Sequence, residues 1–143
     1  MQQDYQCSIT TPVSAEEAFD SISRVDGWWA QNTEGYSASL HDVFTVHFGK
    51  TFVTFEITEL IPDQRVVWLV TDCHLHWIGN KTEWTGTSIV WEVKPIGDGV
   101  RIDMTHRGLT PAVECFEDCQ AGWDDHIRNS LVKYLTEKVG MPI

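Results

Sequence analysis

The run TPAVECFEDCQAGWDDHIRNSLVKYLTEK, residues 110–138, decides the architecture. Phe116, Cys119, Trp123, Ile127, Leu131 and Tyr134 recur at spacings of three and four, the period of a helix with one continuous apolar stripe. Thr110 suits the N-cap and Pro111 the first helical position, and Gly140 and Pro142 stop the segment. The spacing therefore predicts one helix from Thr110 to about Lys138. Its acids come early (Glu114, Glu117, Asp118, Asp124, Asp125) and its bases late (Arg128, Lys133, Lys138), the order that complements the helix macrodipole. Such a stripe has to lie on another apolar surface.

Upstream the period is two. VFTVHFGKTFVTFEITELI, residues 43–61, alternates on both sides of a Gly-Lys pair and reads as a hairpin, and PDQ then turns the chain into RVVWLVTD at 65–72. TEWTGTSIVWEVKP (82–95) and VRIDMTHRGL (100–109) repeat the pattern across IGDG. Thr85, Thr87, Ile89, Trp91 and Val93 share one face, as do Val100, Ile102, Met104 and His106. Successive strands joined by tight turns make an antiparallel sheet with one face to cover. Ahead of them, TPVSAEEAFDSI (11–22) signals a short helix: Ser14 as N-cap, Glu17 completing a capping box, and Val13 with Ala18 as a hydrophobic staple. RVDGWWAQNTEG (24–35) reads as a loop carrying two adjacent tryptophans. The order is strand, short helix, several antiparallel strands and one long helix. It predicts an α+β fold in which a curved sheet grips the terminal helix.

With 143 residues the chain fits one domain, 1–143. Ten Lys and Arg stand against 21 Asp and Glu, a formal charge of -11 that repels a phosphate backbone, so a nucleic-acid partner is not expected. No apolar run is long enough to span a bilayer, and MQQDYQCSITTPV lacks the basic and apolar regions of a secretory signal, so the expectation is a cytoplasmic protein whose four cysteines stay as thiols. Seven tryptophans imply a heavily aromatic core or an aromatic-lined site.

DGWW (26–29), ELIPDQRVVW (59–68), EWTGTSIVWEV (83–93), THRGL (105–109) and GW (122–123) followed by SLVKYL resemble the START-like, or SRPBCC, helix-grip superfamily. The resemblance is to the branch homologous to the activator of the heat-shock chaperone ATPase. It spans residues 5 to about 142. It implies a deep, mostly apolar cavity between sheet and long helix, short helices after the first strand that close one end of it, and a lipid-like, hormone-like or polyketide-like ligand.

Cavity candidates follow from phase and from that resemblance: Trp28, Trp29, Trp68, Trp91, Met104, His106, Phe116, Cys119, Trp123 and Ile127. One of Trp28 and Trp29 is expected to plug the core and the other to border the entrance. Trp84, Trp68 and Trp91 are assigned to strands and Trp123 to the helix stripe, so Trp91 and Trp123 should face each other across the layers. His106 points inward with Met104, where a neutral imidazole both donates and accepts; a hydrogen-bonded core histidine is the alternative. Cys115 and Cys119 share a helix face, and His74 and His76 lie in DCHLHW. Without a CxxC or HExxH pattern, however, no metal site is assigned, and no cofactor motif is present.

Three functional readings remain. The first is non-enzymatic binding of a small hydrophobic molecule. The second is an interaction module for a partner such as a chaperone ATPase. The third is a cyclase or hydrolase-like enzyme on an apolar substrate, with His106 as its only nameable titratable group.

Overall fold

The computed structural model describes residues 3–143; Met1 and Gln2, which open the amino-terminal stretch read above, lie outside the described residues. Seven strands form one antiparallel sheet in the order β1-β7-β6-β5-β4-β3-β2. They are β1 (Tyr5–Thr11), β2 (Asn32–Gly35), β3 (Val43–Phe48), β4 (Thr51–Ile61), β5 (Arg65–His74), β6 (Ser88–Ile96) and β7 (Gly99–Arg107). The alternation works as a strand period should. Tyr5, Cys7 and Ile9 on β1 are buried opposite His106, Met104 and Ile102 on β7, and the residues between them face outward. A register shift between Thr54 and Phe55, and another between Ile57 and Glu59, bend β4 against β5 and curve the sheet.

Between β1 and β2 lie α1 (Ala15–Ser23) and α2 (Val25–Trp28). The Ser14 hydroxyl caps α1, accepting from the Glu17 amide at 3.1 Å. The second half of the expected capping box is absent, because the Glu17 carboxylate instead pairs with Lys138 at the far end of the chain. The stretch read as a loop at 24–35 holds two elements, α2 and β2. β2 is allowed by Gly35: its φ is +86°, and a Cβ there would lie 2.2 Å from the Val43 carbonyl oxygen. Likewise, the strand expected from Thr82 begins only at Ser88, since Gly86, at φ +90°, turns the chain immediately before it and leaves Trp84 in a loop.

The terminal helix is shorter than its periodicity suggested. Residues 110–115 form turns, α3 covers Phe116–Asp125, a π-helical turn covers His126–Leu131, and α4 (Val132–Glu137) completes 22 continuous residues. The start is set from outside the helix. The Glu83 carboxylate accepts the Glu114 and Cys115 amides at 2.8 and 3.0 Å, supplying the negative charge that a helix start favours. Within the π turn Ser130 and Leu131 are both buried, and the Ser130 hydroxyl donates to the Trp28 carbonyl while accepting the Met141 amide at 2.7 Å. No helix among the described residues is long and apolar enough to cross a membrane.

The core lies between the concave sheet and this helix, and tryptophans dominate it. Trp28, Trp29, Trp68, Trp91 and Trp123 are all but fully buried. Trp28 meets Trp91 edge-on at 5.7 Å, Trp68 lies 5.5 Å from Trp91, and Trp91 faces Trp123 at 6.5 Å, all within the range in which aromatic pairs gain beyond their burial.

Candidate functional site

An aromatic cleft of about 320 Å³ opens at one end of the sheet. Three parts of the chain build it. The β3–β4 hairpin contributes Phe48, at the last position of β3, and the loop joining β5 to β6 contributes Trp77 and Trp84. α3 contributes Asp118, Cys119, Gly122 and Trp123, and the first residue of the π turn, His126, completes that wall. Asp118, Gly122 and His126 are four residues apart, so they form one row along the helix surface. Trp29 supplies the floor, 4.8 Å from Trp123 and 6.4 Å from Phe48. Gly122 leaves this wall open, since a Cβ built on it meets nothing within 4 Å.

The adjacent tryptophans are therefore both interior but not equivalent. Trp28 is 0% exposed, and its indole N–H donates to the Ile22 carbonyl at 3.2 Å. Trp29 is 2% exposed and borders the cleft, and its indole nitrogen is buried with no acceptor among the described residues, as is that of Trp91. The two rings stack at 6.1 Å, α2 ends between them, and the Ile143 amide donates to the Trp29 carbonyl at 2.9 Å.

The wall carrying Trp77 and Trp84 is tied to α3 by reciprocal bonds. While Glu83 holds the amides of Glu114 and Cys115, the Glu114 carboxylate accepts those of Gly79 and Asn80 at 2.7 and 3.2 Å. The bonds from Gly79 and Asn80 hold the Glu114 carboxyl below the usual range. Lys81, in the same loop, turns its ammonium onto the carbonyls of His76 and Ile78, each at 2.8 Å. Trp84 stacks on Trp123 within 8° of parallel, and its N–H donates to Cys115 Sγ at 3.2 Å.

Cys115 and Cys119 form a disulfide across the start of α3, with their Cα atoms 5.6 Å apart, whereas Cys7 and Cys73 are free. This corrects the expectation of four thiols. In a helix, positions four apart share a face, and these two lie within bridging distance. The pair that suggested a metal thus has no thiolate to offer.

His106 lies behind the cleft and is fully buried. Trp123 Nε1–H donates to its Nδ1 at 3.1 Å, which leaves the proton on Nε2 to be donated to Thr87 Oγ1 at 2.8 Å; the Thr87 hydroxyl then donates to the Trp84 carbonyl at 2.6 Å. Burial pushes the His106 pKa down to about 3. The His126 pKa is also lowered by burial, with Asp125 pulling the other way.

Of the candidates named from sequence, Trp29, Cys119 and Trp123 line the cleft. Trp28, Trp68, Trp91, Met104, His106 and Ile127 fill the interior instead, where the rings occupy the space between sheet and helix. Phe116 is half-buried on another side of α3, beside Tyr5 and Arg128. Phe48, Trp77, Trp84, Asp118, Gly122 and His126 were not singled out for the site. For three of them a signal existed in the i, i+4, i+8 row Asp118, Gly122, His126 beside the apolar stripe.

No protein-family model and no curated protein matches the sequence. Solved structures do. A solution structure of an Aha1 dimer from Colwellia psychrerythraea superimposes with a TM-score of 0.75 at 20% identity, covering 92% of this chain and 95% of that one. The chain has the START-like helix-grip fold. CalU16 from Micromonospora echinospora shares this helix grip at a TM-score of 0.70 and 11% identity, covering 95% of this chain and 77% of that one. DynU16, a putative protein of the dynemicin biosynthetic locus, shares it at 0.68 and 15%, and this chain spans 48% of that chain's length. At these identities the likeness concerns the helix-grip fold alone.

Proposed function

We propose that this START-like chain is a binding module for a small apolar or amphipathic molecule, held in the cleft between the β3–β4 tip, the 75–87 loop and α3. The observation that carries the reading is the cleft itself: about 320 Å³ walled by Trp29, Trp77, Trp84 and Trp123, with room left on the helix by Gly122. Concave, mostly apolar sites with a few polar groups are the common form of a ligand pocket. A non-enzymatic role fits His106, whose two ring nitrogens are both engaged. A cytoplasmic setting belongs to the same proposal; there the Cys115–Cys119 bond meets reductants, and the Glu83 and Glu114 bonds still hold the wall.

A native mass spectrum of gently purified protein, compared with a denatured one, tests this. The expected result is a mass excess lost on denaturation, and absent from a Gly122→Leu variant whose side chain fills the cleft. A clean apo mass, persisting after incubation with cell-extract lipids, would sink the binding reading. A second reading is a protein-interaction module that modulates a chaperone ATPase. It draws on the resemblance to that branch and on Trp28, Trp68 and Trp91, whose buried rings occupy the interior.

A further inference from the structure

We infer that the aromatic cleft selects a small organic cation, an ammonium or quaternary ammonium group on an apolar body, over its neutral or anionic counterparts. The inference rests on the binding reading above and narrows its ligand. Aromatic faces attract a cation through the ring quadrupole, and tryptophan does so most strongly. The cleft joins Trp77, which is 43% exposed, to the rings of Trp84 and Trp123 and to Phe48.

Charge points the same way. Among the described residues neither Lys nor Arg lines the cleft, and Asp118 places a carboxylate on its wall. Lys81, in the loop that carries Trp77 and Trp84, turns its ammonium onto two backbone carbonyls. Burial pushes the His126 pKa down, against the pull of Asp125, and so disfavours a competing positive charge on that wall. The chain as a whole carries -11, a field that concentrates cations at its surface and repels anions. A neutral ligand gains only burial from these walls, and an anion meets Asp118.

Three probes of similar shape separate the possibilities: phenyltrimethylammonium, its carbon isostere tert-butylbenzene, and benzoate, titrated into the intact protein while the seven indole N–H signals are followed by NMR. Phenyltrimethylammonium is expected to shift the Trp77 and Trp84 signals and to bind about tenfold more tightly than tert-butylbenzene, with benzoate weakest. Asp118→Asn should weaken the cation about threefold, an effect that shrinks in high salt, and should leave tert-butylbenzene unchanged. If tert-butylbenzene binds as tightly as the cation at these indoles, the cation preference is overturned and the binding reading stands. If benzoate binds as tightly as the cation, or the cation shifts none of Trp29, Trp77, Trp84 and Trp123, the preference is also overturned. If no probe moves any of these four indoles, the cation preference falls, and the binding reading falls with it when the native mass is also that of the bare chain.

Discussion

His106 shows how a single buried side chain ties the cleft wall to the sheet. Trp123, His106, Thr87 and the Trp84 carbonyl form one chain of hydrogen bonds, so two of the cleft's aromatic residues, Trp84 and Trp123, are positioned through a histidine that never reaches it. Removing the imidazole strands the Trp123 N–H and the Thr87 hydroxyl in a dry interior. His106→Leu is therefore expected to cost about 2–4 kcal/mol in urea unfolding. The same residue gives a pH dependence. Unfolded, its imidazole takes a proton near the ordinary value of about 6.5; folded, it does so only near 3. Between these values the unfolded chain binds more protons, so the stability contributed by neutral His106 is present above about pH 6.5 and declines as pH falls towards 3. Urea midpoints measured from pH 7 to 4 should fall more steeply for the parent than for His106→Leu, and equal slopes would contradict the assignment. The inward orientation of His106 was legible from its phase with Met104 and Ile102, but its partners were not. Thr87 and Trp123 lie 19 and 17 residues away.

α3 is defined as much by its neighbours as by its own residues. The apolar stripe from Phe116 to Tyr134 was readable because helical period is local, yet its two ends are only half-buried, Leu135 is buried in place of Tyr134, and the helix start moved to Phe116 through a carboxylate 31 residues upstream. Glu83→Ala should lower stability by about 1 kcal/mol, as loss of a helix cap does. Amide exchange should accelerate at Glu114 and Cys115, and unchanged exchange there would show that the clamp does not order the turn. Gly122 is the weak point of the same helix. Nothing lies near its missing Cβ, so Gly122→Ala should raise stability by about 0.5–1 kcal/mol through helix propensity, measured as a higher thermal midpoint. A lower midpoint would mean that the glycine serves packing rather than the opening of the cleft.

The molecule as a whole carries 21 acidic side chains against ten basic ones, and its ion pairs, such as Lys94 with Asp103 at 3.3 Å, lie largely at the surface. Repulsion among the surplus acids should outweigh these exposed pairs, so raising NaCl from about 20 to 200 mM is expected to raise the thermal midpoint by about 3 °C. A fall would mean that attractive pairs dominate. The layered α+β architecture could be read in advance because alternation along a strand and three-four spacing along a helix are properties of sequence neighbours, and burying both apolar faces admits few arrangements. The cleft could not be read that way. Its walls come from residues 29, 48, 77, 84 and 118–126, which meet only after distant strands pair and the loops settle between them. The assignment of Trp28 to the core and Trp29 to the cleft, and the burial of Trp68 and Trp91 between sheet and helix, were likewise decided by tertiary packing, because each depends on which long-range contacts together fill the volume most densely.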